Sequence, residues 1–262
     1  MIKLFATDLD GTLLKENKYI TEKDQNMLRQ LYQQGIEIAF ATGRSDSEIL
    51  RLFEQIGIKG HRVSQNGTFV YSKNDDTISE RHFKQDISLQ LIDEIEGLHL
   101  PYFVSTKHDI FFTEHSPFIE QIQGLFHSKL KHLPNLNDAI SNGLKPSKFM
   151  VLGETEPLKV IQKQMSTKFN HEMESFLSDP RCIDIVPSGV NKANGLEHLM
   201  RHLEIEKQDI AVVGDSYNDI PMLNMTENSY VMTSAATDVK VHASSEVQHV
   251  YEVIEALQFN LK

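Results

Sequence analysis

Asp8-Leu9-Asp10-Gly11-Thr12-Leu13-Leu14 follows the short run Ile2-Lys3-Leu4-Phe5-Ala6, and the junction between the two stretches sets the architecture. The run is apolar at all but one position and reads as a buried strand. At the strand period of two, Asp8 and Asp10 project to the same side. Two carboxylates so placed repel each other, and burial strengthens the repulsion. A divalent cation with oxygen ligands would offset it. Gly11-Thr12 then lets the chain turn away from the strand.

The pattern repeats outward from this point. Thr21 with Asp24 three residues on resembles a capping box, Met27, Leu28 and Leu31 give the helix a buried face, and Gly35 can end it. Ile36 to Ala41 is a second near-continuous apolar run, followed by Thr42-Gly43-Arg44. Ser45 with Glu48 starts a second helix, Gly57 stops it, and Val63 begins a third short strand before Asn66-Gly67. Strands apolar on both faces and alternating with helices predict a parallel sheet covered on each side, an α/β doubly wound, Rossmann-like core.

The middle of the chain departs from this rhythm. After the polar turn Asn74-Asp75-Asp76, a helix near Ser88–Leu98 and strands at Tyr102–Thr106 and Ile110–Thr113 are expected. Further strands at Ser147–Leu152 and Ile183–Val186 and a helix near Leu158–Phe169 complete an α+β unit. The core rhythm resumes with a helix over Lys192–Leu203 and a strand Ile210–Val213 ending at Gly214-Asp215. A sheet pattern that starts, stops for about one hundred residues and resumes indicates an inserted domain. The expected division is a core of residues 1–82 and 187–262 around an insert of residues 83–186.

Composition narrows the function. The 262 residues carry a formal charge of −11, which argues against nucleic acid as a partner. One cysteine, Cys182, excludes an internal disulfide framework and fits a reducing compartment. No segment reaches the length of a membrane span, and an aspartate at position 8 comes too early for a signal-peptide apolar region. The expectation is a soluble cytoplasmic protein without a membrane partner.

Asp8 and Asp10, Thr42-Gly43 and Asp215 each lie at the carboxyl end of an expected strand, the edge where open α/β sheets bind ligands. Gly214-Asp215-Ser216-Tyr217-Asn218-Asp219 adds Asn218 and Asp219. Four aspartates, 8, 10, 215 and 219, are therefore expected to converge on one crevice, with Mg2+ and a basic side chain to offset them. Lys192, opening a helix after an extended strand, is the candidate cation for a phosphate.

DLDGTLL, Thr42-Gly43-Arg44, Lys192 and GDSYND together resemble the four ordered motifs of haloacid-dehalogenase-superfamily (HAD) phosphatases, and their order and spacing are similar to the Cof-type subgroup. The resemblance implies a large α/β cap between the second and third motifs that closes over the site and chooses the substrate. It implies Asp8 as nucleophile forming an aspartyl-phosphate, and Asp10 as acid toward the leaving alcohol and base toward water. It also implies Mg2+ held by Asp8, the Asp10 backbone carbonyl and Asp215, with Asp219 in support. Phosphoryl oxygens would be held by Thr42, Gly43 and Lys192, assisted by Leu9 and Asn218. The chain departs from the family where a glycine often follows the third-motif lysine, since Ala193 and Asn194 precede Gly195.

The expected protein is thus a Mg2+-dependent hydrolase of small phosphomonoesters, with sugar phosphates, nucleotide-like cofactors and pyridoxal phosphate as candidate metabolites. A phosphomutase of the same superfamily and a non-catalytic metabolite-binding module are the alternatives. Other features read as structural: Arg44 as a salt-bridge residue, His198 and His202 as a surface pair, Cys182 as a small buried side chain, and Ile110-Phe111-Phe112 as core strand.

Overall fold

The computed structural model describes residues 1–16, 18–125 and 129–259. The first third contains strand β1 (Leu4–Thr7), helix α1 (Glu22–Gln33), β2 (Glu37–Ala41), α2 (Asp46–Ile56), β3 (His61–Ser64), β4 (Phe69–Tyr71) and β5 (Thr77–Glu80). The middle contains α3 (Gln85–Glu96), β6 (Tyr102–Ser105), β7 (Ile110–Phe112), β8 (Leu130–His132), β9 (Lys148–Leu152), α4 (Thr155–Lys168), β10 (Met173–Asp179) and β11 (Cys182–Pro187). The last part contains α5 (Lys192–Leu203), β12 (Ile210–Gly214), β13 (Ser229–Met232), β14 (Ser245–Val247) and α6 (Val250–Phe259). Shorter helical turns carry no label.

Two compact units divide these elements, Met1–Glu80 with Asn191–Lys262, and Arg81–Val190. The units divide at Glu80/Arg81 and Val190/Asn191, where 82/83 and 186/187 were expected, and each division has a physical reason. The first sheet ends at Glu80. Pro187 pairs with Met173 in the second sheet, and Val190 donates back to the Pro187 carbonyl. Asn191 then caps α5 by accepting from the Asn194 amide. Residues 260–262 of the expected core range lie outside the described residues.

The first unit is an eight-stranded sheet in the order β14-β13-β12-β1-β2-β3-β4-β5. From β14 to β3 every pairing is parallel, and β4 and β5 extend the sheet antiparallel. The central strands β1, β2 and β12 are mostly apolar because both faces are covered, whereas the edge strands β5 and β14 are polar and largely exposed. Phe5, Ile38, Phe40, Ala211 and Val213 pack under α1, α2 and α6. Leu4, Ala6, Ala39, Ala41 and Val212 pack on the other face with Leu196, Leu199 and Met200 of α5. The alternation of Leu4, Phe5 and Ala6 between these two cores is the strand period made visible.

Local signals act as the sequence indicates. Thr21 accepts from the Asp24 amide to cap α1. Ser45 and Glu48 form a reciprocal capping box on α2, which ends at Gly57 in the left-handed conformation. The close approach of α5 depends on two glycines. A Cβ on Gly195 would come within 2.5 Å of Val63 Cγ1, and one on Gly67 would run into the Asn191 carbonyl. The glycine displaced from its usual family position is thus used here one turn into the helix.

The second unit is a six-stranded sheet ordered β8-β7-β6-β9-β11-β10, antiparallel except for the β7–β8 pair. Tyr102, Val104, Phe149, Val151, Ile183 and Ile185 face α3 and α4 in one core. Phe103, Phe112 and Met150 pack in a second cluster with Cys182 at its margin. Strands β8 and β10 were not expected. The first has three residues and the second, Met-Glu-Ser-Phe-Leu-Ser-Asp, lacks clean alternation and carries a register shift. Ile110-Phe111-Phe112 is strand, as read from the sequence.

Candidate active site

The carboxyl ends of β1, β2 and β12 and the N-terminus of α5 supply the site. β1 ends at Thr7, and Asp8 is the first residue beyond it, its amide donating to the Val213 carbonyl at 2.9 Å. Parallel pairing of β1 with β12 brings Asp215 beside Asp8 across the sheet. Lys192, the first residue of α5, is 1% exposed and donates to Asp8 Oδ1 at 2.5 Å and Asp219 Oδ1 at 2.6 Å.

Asp8, Asp215 and Asp219 offer ligand oxygens within 4.8 Å of one another. Thr12 Oγ1 donates to Asp215 Oδ1 at 2.6 Å, so the threonine of the first motif orients the aspartate of the fourth. Asp219 is more fully engaged. Its Oδ2 accepts from the amides of Asp215 and Ser216 at 2.8 and 2.9 Å, while Oδ1 takes Lys192. It is the acid of a capping box opened by Ser216. Gly214 permits this tuck, because a Cβ there would lie 2.6 Å from Asp219 Cβ and Cγ.

The electrostatics follow from burial. Desolvation pushes the Asp8 carboxyl well above the usual carboxylate range; the Lys192 charge pulls it down, and Asp219, Asp215 and Asp10 push it up. Burial and then the Asp219 charge push Asp215 up to about 6, against the pull of Thr12, Lys192 and Asp8. Burial opposes the Lys192 charge, but Asp219 and Asp8 outweigh it and hold the ammonium protonated above its ordinary range. One ammonium among three carboxylates leaves two negative charges uncompensated when all are ionised. Clustered hard oxygen donors with excess negative charge fit a divalent cation such as Mg2+.

Asp10 stands outside the tight Asp8–Asp215–Asp219 cluster, although its charge still acts on Asp8. The chain leaves the strand before Asp10, and Gly11 adopts φ +81°, so the two-residue strand period no longer governs where the side chain goes. The Asp10 carboxylate is held by Arg44, with Nε to Oδ2 at 2.8 Å and Nη2 to Oδ1 at 2.5 Å. Only its backbone carbonyl is left as a candidate cation ligand. Leu9 is similarly divided, for its side chain is fully buried in the core beneath the sheet edge. Any contact with phosphate falls to its backbone.

The remaining expected residues sit around this centre. Thr42 is 1% exposed, and its Oγ1 accepts from the Arg44 amide at 3.2 Å. Gly43 is half-buried between them. Asn218 is buried and donates from Nδ2 to Asn66 Oδ1 at 3.1 Å, while its Oδ1 has no hydrogen-bond partner. Asn66 was read only as a turn residue. It is fully buried, takes φ +59° and donates its amide to the Thr42 carbonyl, thereby tying the second motif to the fourth. Its signal in the sequence was an Asn-Gly pair at the end of a strand, which describes many ordinary turns. His198 and His202 contribute to no metal-type cluster among the described residues. Cys182 lies 3.8 Å from Asp184 Oδ1, and burial pushes its thiol up, away from reactivity.

Comparison with known proteins gives the family and the fold. The chain is 28% identical over 249 residues to the HMP-PP phosphatase of Serratia proteamaculans, covering 92% of this chain and 87% of that protein. It is 26% identical over 248 residues to the HMP-PP phosphatase of Yersinia pseudotuberculosis, with the same coverage. Among solved structures it is similar to a haloacid dehalogenase-like hydrolase from B. subtilis, with TM-score 0.88 at 21% identity, covering 98% of this chain and 100% of that one. It is also similar to a HAD/COF-like hydrolase from Plasmodium vivax, with TM-score 0.88 at 22% identity over 100% and 96% of the two chains. The haloacid dehalogenase-like hydrolase family matches residues 5–257, so nearly the whole chain, including both units and the acidic cluster, belongs to that family.

Proposed function

We propose that the protein is a Mg2+-dependent phosphatase that hydrolyses a small phosphomonoester through an aspartyl-phosphate on Asp8. The observation that carries this reading is the buried Asp8–Lys192–Asp219 contact with Asp215 alongside. Lys192 occupies one oxygen of Asp8, and the other is the one offered to phosphorus. Asp8 forms the new bond to phosphorus as the bond to the leaving alcohol breaks, and Asp10 gives that alcohol its proton. Asp10 then takes a proton from the water that attacks the aspartyl-phosphate, releasing inorganic phosphate and restoring Asp8.

Asp8, Asp215 and the Asp10 carbonyl are the ligands for Mg2+. Asp219 acts behind them, since both its oxygens already accept hydrogen bonds from Lys192 and two amides. The bound cation supplies charge neutralisation between the carboxylate and the phosphoryl group. Thr42, the amides of Gly43 and Leu9, the Lys192 ammonium and the second N–H of the Asn218 amide hold phosphoryl oxygens. The unit Arg81–Val190 is the specificity cap, a reading supported by its position between the second and third motifs.

The test is phosphate release with Mg2+ across sugar phosphates, pyridoxal phosphate, nucleotides and HMP-PP, the last included because similar proteins bear its name. Asp8→Asn should retain the fold and lose turnover by at least about 10³-fold. Near-parental activity in that variant would overturn the mechanism. Free phosphate from generic monoesters separates hydrolysis from a mutase reaction.

A further inference from the structure

The sequence left Arg44 as a salt-bridge residue, and the proposed mechanism does not use it. Its surroundings give it a more specific task. The backbone is fixed from two sides: its amide donates to Thr42 Oγ1 at 3.2 Å, and its carbonyl accepts from the Gln65 amide at 2.9 Å. The guanidinium lies against Glu48, with Nη1 to Oε1 at 3.7 Å. Glu48 is itself immobilised, because its Oε2 accepts from the Ser45 amide and hydroxyl in the α2 capping box. From this support Arg44 presents two parallel N–H groups to the two oxygens of Asp10, at 2.8 and 2.5 Å. The Arg44 side chain is 13% exposed and that of Glu48 12%, whereas that of Asp10 is 38% exposed.

We infer that Arg44 is a positioning residue that fixes the direction of the Asp10 carboxyl, so that α2 and its capping box determine where the proton is delivered. A planar fork sets the carboxyl plane as well as its distance, which a single point charge does not. Asp10 precedes the Gly11 turn and lies beyond the end of β1, so the side-chain orientation that Asp8 takes from the sheet edge comes to Asp10 from Arg44. This rests on the reading of Asp10 as acid and base given above.

The role has a signature that general damage to the fold lacks. Transfer of the phosphoryl group to Asp8 breaks the bond to the leaving oxygen, and the Asp10 proton goes to that oxygen. The proton matters for phenyl phosphate, whose phenolate is a poor leaving group. It matters little for p-nitrophenyl phosphate, whose phenolate is stable near neutrality. The ratio kcat/KM reports this step and not the later hydrolysis. In Arg44→Met it should fall about 10- to 100-fold for phenyl phosphate and about threefold or less for p-nitrophenyl phosphate. Arg44→Lys, which keeps the charge and loses the fork, should show the same selectivity with a smaller loss, and it carries the test if the methionine variant does not fold. Equal losses on the two substrates, or none on phenyl phosphate, overturn the inference while leaving the phosphatase reading intact. Failure of the parent protein to release phosphate from these compounds and from every member of the metabolite panel overturns both.

Discussion

Lys192→Met tests the electrostatic account of the site directly. The substitution keeps a long flexible side chain in a position that is 1% exposed and removes only the ammonium. That ammonium contacts Asp8 at 2.5 Å and Asp219 at 2.6 Å, and the side chains of those partners are 6% and 0% exposed. Without it, three carboxylates with oxygens within 4.8 Å face one another with no cation among the described residues in salt-bridge contact. Breaking a buried pair by deleting one partner costs about 3–5 kcal/mol, chiefly because a desolvated charge is left behind. The expected loss in that range is to be read from urea unfolding followed by far-UV circular dichroism, at pH 7.5 with EDTA. Lys159→Met is the control, since Lys159 contacts Glu156 at 2.9 Å but the two side chains are 50% and 81% exposed. An exposed pair of similar length is worth at most about 1 kcal/mol. Added Mg2+ should return part of the Lys192→Met loss by replacing the missing positive charge. A loss below about 1 kcal/mol in EDTA, comparable with the control, would refute the reasoning.

Three further outcomes are expected. Gly214→Ala places a Cβ 2.6 Å from Asp219 Cβ and Cγ, so it should cost about 1–3 kcal/mol in urea unfolding and reduce phosphate release. Asn191→Ala removes the side chain that accepts from the Asn194 amide at 2.9 Å, should cost about 0.5–2 kcal/mol, and should raise KM because it loosens the helix end that carries Lys192. The third concerns pH. Asp215 titrates at about 6 in the fold, above its unfolded value, so its ionisation destabilises the metal-free protein as pH rises through that range. Asp215→Asn should therefore be more stable than the parent in EDTA near pH 7. The difference in urea midpoint should shrink as pH falls toward 4, and a difference that widens would contradict the assignment.

Much of the core was legible because its signals are local. The two-sided burial of β1 and β2 is written as near-continuous apolar residues, and the caps at Thr21 and Ser45 are written as residue pairs three apart. Lys192 at the start of α5 and Asp215 after β12 followed from the rule that ligands gather at strand ends. The partners of Asp10 and Asn218 were not legible. Arg44 is 34 residues from Asp10, and Asn66 is 152 from Asn218, and neither pairing has a periodicity that could announce it. The Arg44 contact that directs the Asp10 side chain was not legible from the strand period, because Asp10 lies three residues past the end of β1. In the second unit, β10 was hidden by polar residues on a half-exposed edge strand, and β8 by its length.

Strand β1 lies between β2 and β12, so one of its edges is completed by residues beginning at Ile210. During synthesis the first 80 residues emerge with that edge bare, and about 130 more must follow before it is paired, on the order of 10 s at ribosomal speed. An unpaired apolar strand edge is a template for association with other chains. The insert thus lengthens the interval in which that edge stays bare, and no product shorter than 215 residues contains Asp8, Lys192 and Asp215 together. The site is assembled only when the segment carrying Lys192, Asp215 and Asp219 has docked against β1.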